Sequence, residues 1–218
     1  MSTQAIDGVF YVIVLIMSIV IHEYAHGYIA YRLGDNTAEM SGRLTLNPIK
    51  HLDPFGSVIL PLLLVLTNAG FVIGWAKPVP YNPDNLRDRK WGTLYVALAG
   101  IVSNILLAVF FGLLIRFAPV FLGLPPYSLD GAVANLPFYK ITTIIVIVNL
   151  VLALFNLVPV PPLDGSKVLF SFMPFKYRYI VNFLERWGML IMLAFVLFLW
   201  VKVAPLISIA FSLITGAH

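Results

Sequence analysis

Gly8 to Leu33 reads GVFYVIVLIMSIVIHEYAHGYIAYRL. The run carries no charge up to Ile21 and then presents His22, Glu23 and His26 within five positions. A helix crosses a bilayer with about 20 predominantly apolar residues, so this stretch is long enough to span with tilt. A charged side chain at the centre of such a helix costs about 2.5–3.5 kcal/mol even on the lenient insertion scale. Three ionisable groups at that depth therefore point to a polar task inside the membrane. The whole chain has four His and three Glu, which makes their coincidence here the decisive feature.

The surrounding sequence agrees with a membrane setting. Hydrophobic residues make up 60% and charged residues 11%, with a mean hydropathy of +0.93. A soluble domain of this length carries about a quarter of its residues charged. The net charge of +4 resides in Lys and Arg flanking the apolar runs, as loops on the cytoplasmic side require. No basic face with interleaved aromatics is present, which excludes nucleic acid as a partner. The chain has no Cys, so disulfides and thiolate metal sites are excluded and His, Asp and Glu remain as ligands. The N-terminus, MSTQAIDGVF, lacks a basic n-region and a small-residue cleavage site, so it does not read as a removable signal peptide.

Further spans are expected at Leu94–Phe117, Ile141–Val158 and Trp187–Val201, with Pro205 breaking the pattern before a short apolar tail. The run Val58–Trp75 is interrupted by Pro61, Thr67, Asn68, Gly70 and Gly74. The loops Lys77–Lys90 and Pro159–Arg186 are the richer in Lys and Arg, which places them inside. If Val58–Trp75 re-enters rather than crosses, Arg32, Arg43 and Lys50 join the inside set. Irregular backbone at membrane depth is tolerated where it lines a protein cavity. Ser41–Asn47 alternates polar and apolar residues before Pro48, as a short strand of a hairpin does. The expected fold is an all-α polytopic membrane protein with about four transmembrane helices, a re-entrant element and a short β-hairpin near the membrane. Residues 1–218 read as a single membrane-embedded domain without an internal repeat.

His22 and His26 are four apart and share one helix face, where two imidazoles can meet one metal. Glu23, next to the first ligand, has the place of the general base in the H-E-x-x-H pattern of zinc peptidases. A catalytic zinc needs a third protein ligand. Asp164, in Leu163-Asp164-Gly165, is one candidate, and the consecutive Pro161-Pro162 forbid regular helix and let the chain turn inward. A solvated Asp-Gly turn is the alternative. His51 is a rival ligand, a donor to the reaction's oxyanion, or a loop histidine at the membrane surface. A metal transporter or proton pathway would also use intramembrane ionisable groups, but no inverted repeat or second polar site accompanies them. A catalytically inactive scaffold would not need the intact ligand and base set.

HEYAH inside a span, Ala99-Gly100-Ile101-Val102-Ser103-Asn104, and Phe155-Asn156-Leu157-Val158-Pro159-Val160-Pro161-Pro162-Leu163-Asp164-Gly165 together resemble the site-2 protease family of intramembrane zinc metalloproteases, in its short form without PDZ or CBS modules. The resemblance runs from the first span to the Asp-Gly motif. It implies hydrolysis of peptide bonds within or near transmembrane segments, one Zn2+ per chain, His22, His26 and Asp164 as ligands, and Glu23 as base. Asn156 is similar to a family residue that holds the substrate backbone. The sequence departs from many relatives in having Ile101 where they carry Pro. The implied setting is the plasma membrane, with the active site nearer the cytoplasmic side, a transmembrane protein as substrate, and room for a regulatory membrane partner or homo-oligomer.

Overall fold

The computed structural model describes residues 3–59, 63, 76–128 and 132–217. Its α-helices are α1 (Thr3–Arg32), α2 (Thr37–Met40), α3 (Arg89–Leu122), α4 (Pro137–Asn156), α5 (Asp164–Phe172), α6 (Arg178–Ala194), α7 (Trp200–Val203) and α8 (Pro205–Thr215). Among the described residues, four stretches are long and apolar enough to cross a membrane: Phe10–Arg32, Arg89–Leu122, Pro137–Asn156 and Phe175–Val203. The last starts well before the expected Trp187, because a 3-10 turn, α6, a π-helical turn at Phe195–Leu199 and α7 run on without a break.

Local chemistry sets the boundaries. Asp88 caps α3 by accepting from the backbone N–H groups of Lys90 and Trp91, both at 2.9 Å, and Gly123 ends that helix in the left-handed region at φ 63°, a conformation that favours glycine. Pro137 and Pro205 open α4 and α8, where a missing N–H costs nothing.

Helix α3 is the central element. Its Ala108, Ile115 and Ala118 pack with Tyr139, Val146 and Leu150 of α4 and Phe211 of α8 in the main core. On the other side α3 lies against α1, where Ala30, Leu86 and Val96 form a second cluster. The fourth span reaches the bundle through Trp200, whose ring lies 5.6 Å from that of Phe155, and through Gly188, where an added Cβ would sit 2.5 Å from the Pro161 carbonyl oxygen. Most of its large apolar side chains, such as Met189, Leu190 and Phe198, are exposed, as lipid-facing side chains are.

The β-hairpin is not formed: there is no strand among the described residues, and Ser41–Asn47 is irregular. Side chains satisfy the backbone there in place of a ladder. Thr45 Oγ1 accepts from Asn47 N–H at 3.2 Å, and Asn47 Oδ1 accepts from Ile49 N–H at 3.1 Å, starting the 3-10 helix Pro48–His51. Gly42 at φ 64° further breaks the extended course, so no strand edge exists there to receive a peptide. Most of the expected re-entrant element, Val58–Trp75, lies outside the described residues.

Candidate metal centre

Helix α1 delivers His22 and His26 to its buried face, 6% and 8% exposed. Asp164, 5% exposed, arrives from the opposite side as the first residue of α5, where the helix N-terminus favours a carboxylate. Asp164 Oδ2 lies 3.1 Å from His22 Nε2 and 2.9 Å from His26 Nε2, and the two Nε2 atoms are 3.0 Å apart. The three donor atoms thus form a nearly equilateral triangle. Zinc bonded at about 2.0–2.1 Å in tetrahedral geometry separates its donors by roughly 3.3–3.4 Å, so the triangle matches one face of such a site, slightly contracted. The donor set, two imidazoles and a carboxylate, is that of a catalytic zinc site.

Backbone geometry makes the triangle. An added Cβ at Gly100 would sit 2.5 Å from His22 Cε1 and His26 Nε2, so only a glycine lets α3 pass directly beneath the two rings. At Gly165 an added Cβ would collide with the Leu157 and Val158 carbonyls, which lets α5 dock tightly on the end of α4 and carry Asp164 inward. His26 Nδ1 donates to the Val96 carbonyl at 2.6 Å, which fixes the ring's tautomer and leaves Nε2 facing the other two donors.

Lys167, one turn along α5, lies 3.0 Å from Asp164 Oδ1 and leaves Oδ2 to the histidines. Burial opposes ionisation of Asp164, but its neighbours His22, His26 and Lys167 hold its carboxyl below the ordinary carboxylate range. Lys167 Nζ also lies 5.7 Å from the centre of the Tyr81 ring.

Glu23 is partly buried and its Oε2 accepts from the Val79 backbone N–H at 2.8 Å. Val79 belongs to an extended strap, Lys77–Tyr81. Arg43 donates to the Lys77 and Pro78 carbonyls at 3.0 and 3.2 Å, and Lys77 N–H donates to the His51 carbonyl at 2.9 Å. Past the strap, Asn82 N–H donates to Asp35 Oδ2 at 2.6 Å. Because Pro78 and Pro80 have no N–H, Val79 supplies the one amide between them.

Of the sequence's six candidates the structure brings together His22, His26 and Asp164 as a donor cluster, holds Glu23 beside them on α1, and leaves two outside the cluster. His51 is not part of the donor cluster. It is 1% exposed, its Nε2 donates to the Thr45 carbonyl at 2.8 Å, and its backbone anchors the strap. Asn156 ends α4, with its Nδ2 donating to the Leu152 carbonyl at 3.0 Å. Lys167, the Val96 carbonyl and the Val79 amide escaped sequence reading. Only Lys167 had a legible signal, a basic residue three positions after Asp164 on one helical face.

The sequence model of Peptidase family M50 matches residues 122–199. Over 198 residues the chain is 41% identical to YwhC of Bacillus subtilis (strain 168), a provisionally named zinc metalloprotease, covering 89% of this chain and 80% of that one. It is 30% identical over 186 residues to Rip2 of Mycolicibacterium smegmatis, which carries the same provisional name, covering 84% and 66%. Rip2 of Mycobacterium tuberculosis (strain Erdman) is 31% identical over 168 residues, 76% and 58% of the two chains. No solved structure matches. A relative of that identity and coverage, with a fitting donor set inside four apolar helices, places the chain in peptidase family M50, the site-2 protease family, as an integral membrane zinc metalloprotease.

Proposed function

We propose that this protease hydrolyses peptide bonds within or near transmembrane segments of membrane-protein substrates, with His22, His26 and Asp164 holding one Zn2+. The observation that carries the reading is the 2.9–3.1 Å triangle of His22, His26 and Asp164 donor atoms on a membrane-spanning helix. Zinc, when bound there, supplies Lewis acidity towards water and the scissile carbonyl. Glu23, adjacent to His22, is the general base. With Oε2 held by Val79, its other oxygen is free to take a proton from the attacking water and pass it to the departing amine. Asn156, at the end of α4 where the chain turns towards Asp164, is our candidate for holding the substrate backbone. A helical substrate hides its carbonyls in its own hydrogen bonds, so it must unwind locally before attack.

The same reading takes residues 1–218 as one catalytic domain in the plasma membrane, with the centre nearer the cytoplasmic side because the flanking loops carry the basic residues. It also takes Val58–Trp75, which lies between His51 and Lys77, as re-entrant. His51 and Lys77 are joined by a backbone hydrogen bond, which favours a segment that leaves and returns at one level.

The test uses the purified chain in detergent. Wild type is expected to carry about one zinc per chain and Asp164→Ala far less. Glu23→Gln is expected to retain zinc and lose cleavage of reconstituted membrane proteins that wild type cuts. Cleavage by Glu23→Gln at the wild-type rate would remove Glu23 from the mechanism, and a wild type that takes up no zinc would remove the metal site.

A further inference from the structure

Helices α1 and α3 run antiparallel in a register that the metal centre itself defines. His26 meets the Val96 carbonyl, and the rings of His22 and His26 close over Gly100. Four residues back along α1 correspond to four residues forward along α3. The next pair in that series is Ser18 and Asn104, one turn beyond the donor triangle. Both are buried, at 4% and 0% exposure, and so is Asn149 of α4 at 0%. Asn149 Nδ2 donates to Ser18 Oγ at 3.0 Å and to the Ile145 carbonyl at 2.9 Å. By that register Asn104 falls beside Ser18 and its partner Asn149, one polar side chain from each of three spanning helices, a turn from the donor triangle.

These side chains and His22 hold unused hydrogen-bonding capacity of complementary kind. Among the described residues His22 Nδ1, Asn104 Oδ1 and Nδ2, and Asn149 Oδ1 have no hydrogen-bond partner. Buried polar groups are paired almost without exception, and at membrane depth bulk water cannot make up the deficit. A histidine that binds a metal through Nε2 carries its proton on Nδ1 and almost always donates it to an oxygen. His26 does so to Val96; His22 has a donor to place, and Asn104 and Asn149 have two amide oxygens to receive one.

We propose that Asn104 is a positioning residue of the metal centre. Through one internal water shared with Asn149 Oδ1, its amide oxygen receives the Nδ1–H of His22 and turns Nε2 to the metal. A buried water is stable with two to four polar partners, and His22, Asn104 and Asn149 supply three. The inference rests on the reading of His22 as a ligand.

The test is zinc affinity, measured by chelator competition on the full chain in detergent, alongside the thermal midpoint of the zinc-free protein. Asn104→Leu keeps the volume and removes the amide. Its zinc affinity is expected to fall about 10- to 100-fold, while the zinc-free midpoint changes little because an apolar side chain of similar shape replaces the buried amide. Asn104→Ser, which retains a hydroxyl and room for water, is expected to recover part of the loss. Wild-type affinity in Asn104→Leu, or a loss confined to zinc-free stability, would overturn the proposal. Full zinc binding by His22→Ala would instead overturn the ligand assignment beneath it. If Asn104→Leu does not fold, nitrogen NMR of histidine-labelled, zinc-loaded wild type decides. A slowly exchanging Nδ1 proton on His22 supports the inference, and a freely exchanging one refutes it.

Discussion

The backbone N–H of Val79 lies 2.8 Å from Glu23 Oε2, so a residue of the loop before α3 holds the proposed base on α1. The bond fixes one carboxylate oxygen and leaves the other outside this contact. Its donor is unique in the Pro78-Val79-Pro80 sequence, since the flanking residues have no N–H to offer.

Val79→Pro removes that donor while suiting an extended backbone. A hydrogen bond to a charged group contributes about 1.5–3 kcal/mol, so kcat is expected to fall about 10- to 100-fold with zinc content unchanged. Val79→Ala keeps the N–H and removes two buried methyl groups, and should retain most of kcat. Equal losses in the two variants would mean that packing, not the amide, matters.

Gly100→Ala tests the close approach of α3 to the metal centre. A Cβ there falls 2.5–2.6 Å from atoms of both imidazoles and must push the rings apart. The expected result is loss of zinc, read by metal analysis, in a protein that still purifies as a folded monodisperse species. A variant with a full zinc complement would show that the rings can yield.

Asp35 predicts a pH dependence. Burial alone would raise its pKa, but hydrogen bonds from Thr37 and Asn85 side chains and from the Asn82 and Thr37 amides hold it below its ordinary value of 3.8. The unfolded chain therefore binds the proton more readily than the folded one, and stability rises with pH across that window. The contribution is complete above the ordinary value and is lost as pH falls through the lowered one. The thermal midpoint of wild type should exceed that of Asp35→Asn at pH 6, and the gap should narrow below about pH 4. A gap independent of pH would show that the carboxylate's charge is not what counts.

Topology can be read by labelling, because the chain has no native Cys. Thr45→Cys and Asn82→Cys flank the segment read as re-entrant. Arg43 bonds to the Lys77 and Pro78 carbonyls and Asp35 to Asn82, so the two cysteines should react with an impermeant reagent from the same side. Reaction from opposite sides would require the segment to cross.

The sequence was sufficient for features that depend on one local stretch. Apolar length set the spanning helices, and the four-residue spacing of His22 and His26 put two imidazoles on one face, because helical periodicity is a property of the chain alone. It misread Ser41–Asn47, where alternation suggested a strand but Thr45 and Asn47 turned the backbone back on itself. Side-chain competition for backbone groups is invisible to a polar/apolar pattern.

Everything that closes the site came from the packing of distant segments. Asp164 lies 142 residues from His22, and spacing alone left it as a ligand or a solvated turn. Only the docking of α5 on α3, with Gly165 against the Leu157–Val158 turn, and of α3 beneath the rings at Gly100, brings the three donors to 3 Å from one another. The partners that orient His26 and Glu23, the Val96 carbonyl and the Val79 amide, are backbone groups. A sequence records which side chains are available; which backbone groups they meet is set by helix register and close approach, and these exist only once the chain has folded.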